Sequence, residues 1–197
     1  MRWGISMKRI DITKLEQGLL VTGRNNVSLE GKAIRWGVHS FTNHDAMVVT
    51  QDGVWGIAEA VVPVSKVTPI CDYERIMNDD GYLVRFYRHK RLSVGERGLA
   101  AKYFVKHLLG LKYPKKIRMT VLALPIYNAI VDKTKHLPRL RLTWCSQLVK
   151  NAYASVDPNC LDGQDGKKKE LFTPKTFENR IMFGVFEDVT DSIIYED

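Results

Sequence analysis

Residues 46–60 read Ala46-Met47-Val48-Val49-Thr50-Gln51-Asp52-Gly53-Val54-Trp55-Gly56-Ile57-Ala58-Glu59-Ala60. Two runs of β-branched, aromatic and small residues flank Asp52-Gly53. That dipeptide is a strong hairpin signal, because both central residues of a type I′ turn need positive φ. With a two-residue loop Gln51 faces Val54, and counting back along both strands sets Ala46 opposite Glu59. Side chains alternate between faces, so His44 and Glu59 share one face as diagonal neighbours. A four-residue loop, Thr50 to Gly53, would set them directly opposite. A three-residue loop without a bulge would put them on opposite faces. The register therefore decides whether a histidine and a carboxylate can meet.

Outward from the hairpin, Gly18 to Val27 and Tyr82 to Arg88 read as further strands, and Ala33 to Val38 as a short strand or helix. From Ser93 the period changes. Ser93 with Glu96 three residues later forms a capping-box pattern, a helical reading continues to Leu109, and Gly110 stops it. Thr143 to Tyr153 is a second helix, with Thr143 as candidate N-cap and Leu148, Val149, Ala152 and Tyr153 on its core face. Asn159 to Glu170 reads as a surface loop in which Lys167-Lys168-Lys169 is a solvated run. Thr173-Pro174 opens a short helix, and Ile181 to Val185 is expected as a last strand. The stretch 113–142 has basic ends around an apolar middle broken by Pro125 and reads as an inserted helix or lid. The expected fold is α+β: a small antiparallel sheet or open barrel packed against the two helices, within a single domain spanning 1–197.

The chain has 197 residues, 45% of them apolar and 26% charged, enough for a core without staples and far from the compositions of disordered or collagen-like chains. Lys and Arg outnumber Asp and Glu by 30 to 22, a formal charge of +8, which suits an anionic polymer or an anionic lipid surface as partner. No apolar leader with a small-residue cleavage site is visible at the start, and the longest apolar stretch, Met119 to Val131, is well short of the ~20 residues that span a bilayer. The sequence therefore predicts a cytoplasmic protein without a transmembrane segment. A wall-cutting enzyme of that kind would have to leave by phage lysis or an injection apparatus.

Cys71, Cys145 and Cys160 share no C-x-x-C spacing, and no H-E-x-x-H, G-x-x-x-x-G-K or G-x-G-x-x-G pattern occurs. Neither a metal nor a nucleotide cofactor is expected. Cys145 stands in the first turn of the second helix, where unpaired N–H groups and the positive dipole end favour a thiolate. A histidine held by a carboxylate and facing such a cysteine can perform nucleophilic thiol catalysis. His39, His89, His107 and His136 read as surface or core histidines, with His39 close enough to His44 to support it. Cys71 and Cys160 read as inert thiols. Trp3, Trp36, Trp55 and Trp144 read as buried aromatics by default, although they could line a groove.

Three segments occur in a telling order: Asn43-His44-Asp45-Ala46-Met47-Val48-Val49, then Ile57-Ala58-Glu59-Ala60, then Trp144-Cys145-Ser146-Gln147-Leu148-Val149. From about Gly18 to Pro174 the chain resembles the circularly permuted NlpC-type, papain-like cysteine hydrolases of the YiiX-like branch, although 113–142 has no counterpart there. The resemblance implies Cys145 as nucleophile, His44 as base and Glu59 as the orienting polar residue. It departs from the family at Asp45-Ala46, where a Val-Gly pair is more frequent, and at Gln147, where Glu is common. The expected activity is hydrolysis of an amide bond in a peptide or peptidoglycan-like substrate. Two alternatives stand beside it. One is a lipid acyltransferase or thioesterase using the same site, with Met119–Val131 as an acyl-binding lid. The other is a non-catalytic basic module that binds nucleic acid or cell wall.

Overall fold

The structure, a computed structural model, describes residues 7–25, 32, 35–36, 39–78, 82–112, 144–162 and 172–197. Its centre is the hairpin of β3 (His44–Gln51) and β4 (Val54–Ala60). Asp52 and Gly53 adopt φ of 52° and 79°, the left-handed pair that a type I′ turn needs. The resulting register pairs Gln51 with Val54 and Ala46 with Glu59.

Four more strands extend the hairpin into a six-stranded sheet: β2 (Leu20–Asn25), β5 (Ser65–Pro69), β6 (Tyr82–His89) and β7 (Phe186–Asp188). The order is β5-β4-β3-β2-β6-β7, and every pairing is antiparallel. β5 and β7 remain as edges, so the sheet is not closed and the open-barrel alternative is replaced by an open sheet. A two-stranded ribbon of β1 (Lys8–Ile10) and β8 (Ile194–Glu196) accompanies it.

Both faces of the sheet are covered, which is why Ala46-Met47-Val48-Val49 is apolar at every position rather than alternating. On one face Met47, Val49, Ala58 and Ala60 pack against Ala100 and Ala101 of α2 (Val94–Tyr103), Leu148 and Val149 of α3 (Cys145–Ala154), and Phe177 of α4 (Pro174–Met182). On the other, Ala46, Val48, Ile57 and Phe86 pack against Ile70, Tyr73 and Met77 of α1 (Ile70–Asn78) and Ile193 of the short α5 (Thr190–Ile193). The α+β expectation holds, as sheet and helices in layers.

Local signals fixed several boundaries. Ser93 caps α2 through the reciprocal bonds of a capping box with Glu96, the helix continues as a π-helical turn over Phe104–Leu108, and Gly110 follows with φ of 74°. Thr173 and Thr176 cap α4 reciprocally, with Pro174 at its start. Other expectations need correcting. Ile181 and Met182 complete α4, and the strand begins only at Phe186, after a turn in which Gly184 has φ of 74°. Trp144 rather than Thr143 is the N-cap of α3, and it makes no side-chain cap bond. The proposed lid at 113–142, the lysine run 167–169, Thr143 itself and most of 33–38 lie outside the described residues. Among the described residues no helix is long and apolar enough to cross a membrane.

Candidate active site

His44 opens β3, Cys145 opens α3, and Glu59 lies one residue from the end of β4. The hairpin register puts His44 and Glu59 on the same face, and their side chains meet: His44 Nε2 lies 2.7 Å from Glu59 Oε2. The carboxylate is fixed from two further sides. Thr68 Oγ1 donates to Oε1 at 2.5 Å, and Tyr73 Oη reaches Oε2 at 3.4 Å. The imidazole is thus oriented by a carboxylate that is itself held in place.

Cys145, at the start of α3, also acts on this histidine and raises its imidazole. Burial works against a charge on His44, but Cys145 and the hydrogen-bonded Glu59 together outweigh it and raise the imidazole well above its ordinary pKa. Glu59 shows the complementary balance. Burial pushes its carboxyl up, yet the bond to His44, the charge of His44 and the bond from Thr68 leave it lowered overall. The pair is a carboxylate and an imidazole poised to carry a proton, and both are nearly buried, with side chains 8% and 16% exposed.

The start of α3 supplies the remaining chemistry. Its first intrahelical bond runs from Leu148 N–H to Trp144 C=O, so the N–H groups of Cys145 and Ser146 have no acceptor within the helix. Trp144, the N-cap, makes no side-chain bond to them. Donors at such a terminus suit a developing oxyanion beside the sulfur. Trp144 instead turns its indole N–H to Phe172 C=O at 2.6 Å and is buried.

Sequence reasoning missed the supporting residues. Thr68 and Tyr73 sit on β5 and α1, two elements not foreseen. Tyr82 begins β6 and brings its hydroxyl beside Gly23, where an added Cβ would lie 2.7 Å from it and 3.5 Å from His44 Cβ. Burial raises the Tyr82 phenol. The alternation of Ser65-Lys66-Val67-Thr68-Pro69 was the available signal for Thr68, since Lys66 and Thr68 share a face and Lys66 pairs with Glu59.

The other candidates stay apart. His39 is exposed in a turn with φ of 51° and is not hydrogen-bonded to His44, so it does not support that ring. His89 is buried and bonded to Cys160 C=O, and His107 packs on Tyr103. Cys71 is exposed, and Cys160 is buried with its thiol pushed up to about 12, chiefly by burial. Trp36 is exposed, contrary to the default of a buried aromatic.

No family model matches this sequence, and no curated protein does. Among solved structures the chain is similar to the crystal structure of metalloprotein YiiX from Escherichia coli O157:H7 (DUF1105), at 21% identity and a TM-score of 0.50, over 73% of this chain and 67% of that one. At that identity the likeness concerns the fold, a YiiX-like arrangement of sheet and helices. Among the described residues no three His, Cys, Asp or Glu side chains converge as metal ligands. Both Glu59 oxygens are already bonded to protein groups.

Proposed function

We propose that this chain is a thiol hydrolase of the permuted papain-like, NlpC-type kind, cleaving an amide bond in a peptide or peptidoglycan-like substrate. The observation that carries the reading is a largely shielded imidazole, hydrogen-bonded to a carboxylate and raised further by a cysteine that opens a helix whose N-cap side chain makes no bond.

Each residue then has a defined task. His44 takes the proton of the Cys145 thiol, and the sulfur attacks the substrate carbonyl carbon. The N–H groups at the start of α3 stabilise the oxyanion. His44 returns its proton to the departing amine as the C–N bond breaks, leaving a thioester on Cys145. A water then gives its proton to His44 and attacks that thioester, releasing the acid and regenerating the thiol. Glu59 keeps the ring turned so that one nitrogen faces the sulfur throughout, and it stabilises the imidazolium that forms. The +8 charge supports an anionic wall polymer as the substrate's carrier.

A second reading changes the substrate and keeps the site. Trp36 and Phe41, 68% and 73% exposed, stand on the segment leading into His44 and favour an apolar acyl group. One experiment addresses both: purified chain and Cys145→Ala are incubated with muropeptides and, in parallel, with phospholipid vesicles and acyl thioesters. Release of free amine from muropeptides, abolished in Cys145→Ala, is the expected result. Turnover of the lipid substrates alone selects the second reading. Hydrolysis that survives Cys145→Ala, or a thiol-directed probe that labels Cys71 in place of Cys145, overturns both.

A further inference from the structure

The two reactive residues have chain neighbours that are bonded to each other. Asp45 follows His44 on β3, Ser146 follows Cys145 on α3, and Ser146 Oγ donates to Asp45 Oδ2 at 2.5 Å. Neither side chain is exposed to solvent, and Asp45 Oδ1 has no hydrogen-bond partner. An acid here is costly. The same face of β3 continues with Met47 and Val49, and an apolar side chain would fill the place without burying an unpaired oxygen. A buried polar pair that bridges the two elements carrying the reactive side chains calls for a task beyond packing.

We propose that the Asp45–Ser146 bond is a positioning clamp that fixes the start of α3 against the start of β3 and thereby sets the spacing between the Cys145 sulfur and the His44 ring. The inference rests on the thiol-site reading above and names two positioning residues for it. Each end of the clamp lies one residue from a reactive side chain, so a shift of either element moves both. Reacting groups displaced by about 1 Å lose on the order of a hundredfold in rate. A second tie braces the approach to His44. Glu178 of α4 accepts from Ser40 Oγ at 2.6 Å and from Thr42 N–H at 2.8 Å, holding the residues that lead into β3.

The clamp does not need a charge on Asp45. The groups that act on this carboxyl are Ser146 on α3, His44 beside it on β3 and Glu178 on α4; burial, the largest influence, pushes it up to about 7. Ionised or neutral, a carboxyl oxygen can accept from the Ser146 hydroxyl. A role through charge and a role through position therefore predict different variants to be damaging.

The test measures alkylation of Cys145 by iodoacetamide across the acid-to-neutral range in the full chain, with the exposed Cys71 as internal reference and the thermal midpoint recorded for each variant. In the native chain Cys145 reacts faster than Cys71 despite its burial. Ser146→Ala cuts the tie, leaves the acid in place and slows Cys145 about 10- to 100-fold without changing Cys71. Asp45→Asn keeps an accepting oxygen and recovers most of the native rate and its pH profile. The double variant Asp45→Val with Ser146→Ala removes both polar partners together, so its thermal midpoint recovers while Cys145 stays slow. The clamp is overturned, and the thiol site survives, if the double variant alkylates at the native rate or if Asp45→Asn is as slow as Ser146→Ala. If native Cys145 reacts no faster than Cys71, the thiol-site reading itself is overturned and the clamp goes with it.

Discussion

His44, largely shielded, and His89, fully buried, are imidazoles with opposite fates, because their surroundings drive them in opposite directions. His44 meets a carboxylate at 2.7 Å, and Cys145 and that carboxylate raise it well above its ordinary pKa. His89 meets only the backbone of its cysteine: Nε2 donates to Cys160 C=O at 3.0 Å, while Nδ1 accepts from Arg91 and Leu92 N–H at 3.2 and 3.3 Å. Aromatic rings of Tyr153 and Phe186 enclose the rest, and burial lowers His89 to about 4. Burial by itself discharges an imidazole; an oriented carboxylate on one nitrogen, together with Cys145, reverses the outcome. That contrast separates a histidine whose partners favour its charged form from one that fills a core.

The largest effect that sharpens the contrast falls on the acid. Glu59→Ala removes the group that orients His44 and leaves Thr68 and Tyr73 without their acceptor. Turnover should fall on the order of 10²–10⁴-fold, the usual contribution of a positioned acid or base. NMR titration of the His44 ring should show its midpoint dropping towards the ordinary value. Glu59→Gln, which keeps an oxygen for Nε2–H, should fall less. Equal midpoints in native and Glu59→Ala chains would erase the distinction between the two histidines.

Next in size is a stability effect at His89. A proton on Nδ1 would abolish its two acceptor roles, so the folded chain resists protonation there until about pH 4, whereas the unfolded chain binds the proton near 6.5. Between these values the unfolded state holds more protons, and the contribution of His89 to stability falls as pH falls. The gap corresponds to about 3 kcal/mol lost on going from neutral pH to below 4. Asp45, pushed up to about 7, acts with the opposite sign over much of the same window, because the folded state holds its proton more tightly than the unfolded one. The measurement is therefore a difference. Denaturant unfolding of native and His89→Gln chains at neutral and acid pH should show the variant gaining about 3 kcal/mol relative to the native chain as pH falls. His44 adds no slope below its unfolded pKa: its raised value yields stability fully present there and lost only as pH rises through the folded value. A constant difference between the two chains would show that His89 is not held neutral.

The contrast was only partly legible in the sequence. The Asp52-Gly53 turn set the register, and the register brought His44 and Glu59 onto one face, because a two-residue loop leaves no freedom in the count. Ser93 with Glu96 marked the start of α2 for the same local reason. What local pattern could not supply was tertiary. β5 is five residues long and ends in Pro69, and α1 follows without a loop, so neither offered a long enough period to read. Thr68 and Tyr73 were hidden with them. Asp45 lay in plain view beside His44, but its importance depends on Ser146, 101 residues away. His89 offered no sequence signal of its opposite character, since its partners are backbone groups that no side-chain pattern announces.

The smallest expected effect tests whether support for the acid matters once the acid is present. Thr68→Val is close to isosteric and keeps the β-branched shape that suits β5. It removes the 2.5 Å bond to Glu59 Oε1 while leaving the His44 contact to Oε2 in place. A hydrogen bond to a charged group contributes about 1.5–3 kcal/mol, and losing it from a buried carboxylate raises that carboxyl. Tyr73, already within reach of Oε2, offsets part of the loss. Turnover should then fall about tenfold, with the pH at which activity appears moving upward as Glu59 becomes harder to ionise. A fall in thermal midpoint with an unmoved pH profile would instead make Thr68 a packing residue of β5, and the orientation of His44 would rest on Glu59 and the hairpin register alone.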